Sequence, residues 1–72
     1  MTVQPTEQVS VNGEPRALAP GTTVAALVAT MTSATKGVAV AVNEDVVPRS
    51  AWGATLLAAG DRVEVLTAVQ GG

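Results

Sequence analysis

The sequence predicts an α+β domain in which one helix packs on one face of a mixed sheet. Three observations carry this. Short apolar segments alternate with period two, one segment alone repeats with the period of a helix, and tight turns rather than long crossovers separate most of them. Seventy-two residues leave room for a single core. A chain of this size buries only about 60% of its unfolded surface. The hydrophobic fraction is 47%, but much of it is Ala and Val, and Trp52 is the one aromatic residue. The core is therefore expected to be thin and aliphatic. Disulfides and the usual zinc sites are excluded, because the chain has neither Cys nor His. Packing alone must hold the fold.

Val9 and Val11 flank Ser10 as in a half-buried strand, and Asn12-Gly13 supplies the positive φ values of a tight hairpin turn. The return strand has Ala17 and Leu18 as its most apolar part, so a hairpin is predicted over 8–19. Pro20-Gly21 then breaks the chain, and Thr22 or Thr23 is placed to cap a helix. Val24, Leu27, Val28 and Met31 fall on one helical face, which predicts a helix over 23–33. Its other face is Ala and Thr, so packing rather than propensity must support it. Lys36 suits the helix C-terminus and Gly37 its exit.

Val38-Ala-Val-Ala-Val42 is the clearest strand, with Val38, Val40 and Val42 toward the core and Ala39 and Ala41 on the other side. Asn43-Glu44-Asp45 reads as a turn, and Val46-Val47 as a short strand that Pro48 stops. Over 50–59 a loop with one helical turn is expected to carry Trp52, Leu56 and Leu57 onto the core. Gly60-Asp61 turns the chain into a last strand, Arg62 to Val69, with Val63, Val65, Thr67 and Val69 toward the helix. To cover the helix, the first and last strands must lie together in the centre of a sheet of four to five strands, parallel to each other. This is the β-grasp, or ubiquitin-like, arrangement. Residues 1–7 are expected to form a flexible lead, 8–69 the domain and 70–72 a flexible tail.

The formal charge is −2, and Arg16, Lys36, Arg49 and Arg62 are scattered along the chain. Without a basic cluster or stacking aromatics, nucleic acid is not an expected partner. No segment approaches the ~20 apolar residues of a bilayer span, and the first residues lack the features of a signal peptide. No membrane association is expected, and the expected location is the cytoplasm. The catalytic inventory is nearly empty. A Ser or Thr nucleophile has no His to activate it, no phosphate-cradling glycine pattern occurs, and Glu44-Asp45 and Asp61 sit in turns. The composition points to a substrate or partner of enzymes rather than to an enzyme, with no cofactor bound by the chain itself.

Attention therefore falls on Gln70-Gly71-Gly72. A chance terminal glycine pair is a roughly 1-in-200 event, although a frayed end is the plain alternative. A diglycine without Cβ atoms can thread a narrow channel and present its carboxylate to another protein's active site. That carboxylate is ionised at neutral pH and can attack the α-phosphate of ATP when a partner aligns the two. The acyl-adenylate so formed is open to sulfur or amine nucleophiles.

Residues 9–72 resemble the ThiS family, the ubiquitin-like sulfur carriers of thiazole formation in thiamine biosynthesis. The resemblance runs through Val11-Asn12-Gly13, Gly21-Thr-Thr-Val24 with Leu27, and Val38-Ala-Val-Ala-Val-Asn43. It continues in Val47-Pro-Arg-Ser-Ala-Trp52 and in Gly60-Asp-Arg-Val-Glu-Val-Leu-Thr-Ala-Val-Gln-Gly-Gly72. It implies that a ThiF-type enzyme adenylates Gly72 with ATP and magnesium, and that Gln70 and Gly71 thread its channel. A sulfur donor such as a cysteine desulfurase then yields a thiocarboxylate, which supplies the thiazole synthase, ThiG. A molybdopterin-synthase small-subunit type carrier, a ubiquitin-like modifier and a plain interaction module are the alternatives. The chain departs from the family in its lead before the first strand and in Glu44, where members often have Gly. The positive φ of that turn is accordingly expected on Asn43 or Asp45. Partner docking is expected on the sheet face away from the helix, through Leu66, Ala68, Ala39 and Ala41, with Arg62 and Arg49 as a polar rim. Trp52 is read as a core lid, and Lys36 as a solvated charge.

Overall fold

The computed structural model describes residues 6–34 and 36–68. Five strands, β1 (Glu7–Val11), β2 (Glu14–Leu18), β3 (Val38–Val42), β4 (Asp45–Val47) and β5 (Arg62–Thr67), form one sheet in the order β2-β1-β5-β3-β4. The helix α1 (Val24–Met31) covers one face, and a 3-10 turn (Arg49–Ala54) leads from β4 toward β5. Strands β1 and β5 run parallel in the centre, as helix coverage demands; the other three pairings are antiparallel. Of the expected lead, residues 1–5 lie outside the described residues, and β1 begins at Glu7.

The core is made where two periodicities meet. Val9, Val11, Val40, Val63 and Val65 point from the sheet, and Val24, Leu27 and Val28 from the helix, all buried. Val38, Val42, Val47 and Met31 pack around this centre. Trp52 and Leu57 close its end. Trp52 is 7% exposed and its indole Nε1 donates to the Val47 carbonyl at 2.9 Å, so burial leaves no orphan donor.

Leu56 departs from expectation: it is 65% exposed rather than on the core. Residues 55–57 are extended, not helical. The Thr55 carbonyl accepts from Val24 N–H and the Leu57 N–H donates to Thr22, both at 2.9 Å. Extended backbone alternates its side chains, so Leu57 turns in and Leu56 must turn out.

The helix spans its apolar pattern, Val24 to Met31, and is shorter than the predicted 23–33. Thr23 caps it, its Oγ1 accepting from Ala26 N–H at 3.1 Å. It ends at Met31 because Thr32 is extended and its hydroxyl accepts from the Ala34 N–H instead. Lys36 therefore lies beyond the last helical turn and Gly37 is not the helix exit. Gly37, at φ 72°, instead stands directly before β3, where its carbonyl accepts from the Ala68 N–H at 2.7 Å.

Both hairpin turns are locked by an asparagine. Asn12 and Gly13 have φ 52° and 85°, and Asn43 and Glu44 have φ 52° and 74°. The second turn corrects the expectation for Glu44, which itself takes the left-handed conformation alongside Asn43, while Asp45 is already in β4. The Asn43 side chain holds that turn against β5, accepting from Arg62 N–H and donating to Asp61, both at 3.0 Å.

Candidate functional site

The helix covers one sheet face and leaves the other to solvent. On β5, Val63 and Val65 are buried while Arg62, Glu64 and Leu66 are exposed, so the strand's second face points outward. The register then decides what surrounds them. Leu66 pairs with Ala39, and Glu64 with Ala41, whose partner on the far side is Val46 of β4. Leu66 is 67% exposed and Val46 is 77% exposed, with the short side chains of Ala39 and Ala41 between their strands. Such a group of large apolar residues, flanked by small ones and left uncovered, marks a surface suited to a partner.

The structure thus brings together Leu66, Ala39 and Ala41, with Ala68 one strand step past Leu66. Ala68 is exposed and ends the described part of the chain. Arg62 lies on the same face at the opposite end of β5, where its Nη2 meets Glu44 Oε2 at 3.1 Å. Arg49 does not belong to this rim. It lies on the helix side, with its guanidinium carbon 5.4 Å from the centre of the Trp52 ring, beside Ala25, Val28 and Thr32. Thr67, expected toward the helix, is exposed at the end of β5. Val69, Gln70, Gly71 and Gly72 lie outside the described residues.

Val46 is a member of this face that the sequence reading did not single out. The signal was present: a two-residue turn at Asn43-Glu44 pairs Val42 with Asp45, and so sets Val46 against the outward Ala41. Among the described residues no group of His, Cys, Asp and Glu is arranged to hold a metal ion. No helix is long and apolar enough to cross a membrane. What the geometry offers is an apolar sheet face on the strand that leads, in sequence, to the C-terminal residues.

The described residues form a β-grasp domain whose sheet is covered by the helix on one face and left open on the other. The chain belongs to the ThiS family, whose sequence profile matches residues 9–72. Among solved structures it is similar to a thiamine biosynthesis protein, ThiS, from Geobacter metallireducens, at 32% identity and a TM-score of 0.75. The match covers 90% of this chain and 99% of that one. No curated protein matches the chain in sequence.

Proposed function

We propose that this chain carries sulfur for thiazole formation in thiamine biosynthesis as a thiocarboxylate on Gly72. Membership of the ThiS family is the observation that carries the reading, because the family match extends through Gly71 and Gly72. As a family member the chain is a small sulfur carrier; the chemistry of loading and delivery is our reading.

In this cycle a ThiF-type enzyme binds ATP and magnesium and takes in Gln70, Gly71 and Gly72. An oxygen of the Gly72 carboxylate attacks the α-phosphate, an acyl–phosphate bond forms and pyrophosphate leaves. The terminal sulfur of a donor persulfide, such as that of a cysteine desulfurase, then displaces AMP to give an acyl disulfide. A thiol cleaves its S–S bond, releasing the thiocarboxylate and leaving a disulfide. The thiocarboxylate is a better nucleophile than the carboxylate it replaces, and the thiazole synthase draws its sulfur into the ring. The carrier supplies the handle and the address while its partner enzymes supply catalysis, in a cycle we assign to the cytoplasm.

The address is the sheet face of Leu66, Ala68, Ala39 and Ala41, now with Val46, and with Arg62 at its edge. The anchored root of the tail supports this reading, since the Ala68 N–H is held by Gly37 at 2.7 Å. Only four residues then separate the docking face from the reacting carboxylate. A partner seated on the face therefore has the tail within a short reach. The test is ATP–pyrophosphate exchange by a ThiF-type enzyme: exchange that depends on this chain and is lost on deleting Gly72 supports the reading. Exchange that persists without Gly72 contradicts it.

A further inference from the structure

Arg62, Glu64 and Leu66 stand in that order along the outward side of β5. Glu64 sits in the middle of the apolar group, opposite Ala41 and next to Leu66, with Val46 beyond Ala41. Its natural counter-ion is Arg62, two residues away on the same side of the strand and long enough to reach it. The structure pairs them otherwise. Arg62 is engaged by Glu44, and among the described residues the Glu64 side chain makes no hydrogen bond or ion pair.

Glu44 holds Arg62 from an unfavourable backbone. Its φ of 74° lies in the left-handed region that disfavours every residue with a Cβ. The pair it forms is exposed on both sides, 63% and 76%, and returns little to stability. Glycine would suit the fold better at this position, so the value of Glu44 lies in what its carboxylate does to Arg62. With that pair closed, one negative charge, Glu64, remains among Ala41, Val46 and Leu66.

We propose that Glu64 is the selecting charge of the sheet face. It receives a guanidinium or ammonium group set within an otherwise apolar surface of the activating enzyme, and Glu44 is the positioning residue that keeps it available by occupying Arg62. This rests on the reading that the sheet face docks that enzyme. A wholly apolar partner would bury Glu64 unpaired, and an acidic one would be repelled, so one carboxylate inside an apolar group discriminates against both.

The experiment measures binding of the full chain to a ThiF-type enzyme at low and high salt, for the wild type and for Glu64→Gln, Glu64→Lys, Glu44→Gln and Leu66→Asp. Glu64→Gln weakens binding about tenfold, Glu64→Lys weakens it further, and neither moves the melting temperature. The wild-type affinity falls with salt, and Glu64→Gln flattens that dependence. Glu44→Gln releases Arg62 onto Glu64 and weakens binding about threefold. Wild-type affinity in Glu64→Gln, with Leu66→Asp still impaired, overturns the proposal and leaves the docking face standing. Wild-type affinity in both overturns the docking face itself. Unchanged binding by Glu44→Gln overturns the positioning role.

Discussion

The side-chain amide of Asn12 pairs with the peptide of Val65 as a strand residue would. Its Nδ2 donates to the Val65 carbonyl at 3.1 Å, and its Oδ1 accepts from the Val65 N–H at 2.8 Å, across 53 residues of sequence. The backbone N–H of Asn12 also donates to the Val63 carbonyl at 2.9 Å. One residue thus turns the first hairpin with its backbone and prolongs the central parallel pairing with its side chain. The strand that leads to the tail is fixed in register from this side.

Replacing Asn12 with Ala removes both amide bonds and strands a partly buried N–H and carbonyl on β5. The expected loss of stability is about 1–3 kcal/mol, measured by urea unfolding. A loss under ~0.5 kcal/mol, within the range of an ordinary surface change, would show that the pairing is incidental.

Trp52 combines burial with a satisfied indole. Trp52→Ala is expected to cost about 3–5 kcal/mol, enough to unfold much of a domain this small. Trp52→Phe keeps most of the apolar area and gives up the bond to Val47, so it retains the fold at reduced stability. Circular dichroism melts compare the two. Equal melting temperatures for both variants would contradict this account.

Gly37 is needed for both its conformation and its emptiness. A Cβ there would approach the Ala68 Cβ to 2.9 Å, and φ is 72°. Gly37→Ala is expected to cost about 1–2 kcal/mol from the backbone alone. Because the collision falls at the root of the tail, adenylation by the activating enzyme drops further than the unfolded fraction explains. Gly13→Ala, at φ 85° with open space around it, suffers the backbone cost without that extra drop.

Glu44→Gly relieves a left-handed residue worth about 1 kcal/mol and loses an exposed ion pair worth at most about as much. Its urea midpoint is expected at or above the wild-type value. A clear fall would mean that the Glu44–Arg62 pair stabilises the fold.

Much of this architecture was legible in the amino-acid order, for physical reasons. Val9-Ser-Val11, the Val38–Val42 alternation and the Val24, Leu27, Val28 spacing each state which side is buried, and the need to cover one helix places β1 beside β5. The outward position of Leu66 follows from the same alternation. Leu56 was not legible, because its orientation depends on the hydrogen bonds that Thr55 accepts from Val24 and Leu57 donates to Thr22, far away in the chain. Nor was the early helix stop. Threonines are tolerated in a helix, and only the local bond from the Ala34 N–H to the Thr32 hydroxyl decides against another turn. The double role of Asn12 was hidden for a similar reason: Asn-Gly announces a turn, but nothing local says where the amide reaches. At the docking face, Val46 could be placed only once the Asn43-Glu44 register was known.

The central claim is that the Gly72 carboxylate becomes a thiocarboxylate, and intact mass tests it most directly. The chain is incubated with a ThiF-type enzyme, ATP, magnesium and a sulfur donor. The account predicts a mass gain equal to the exchange of one oxygen for sulfur, dependent on ATP and absent when Gly72 is deleted. A mass that stays unchanged with an enzyme shown to be active would contradict it, and a ladder of heavier conjugates would instead mark the chain as a protein modifier.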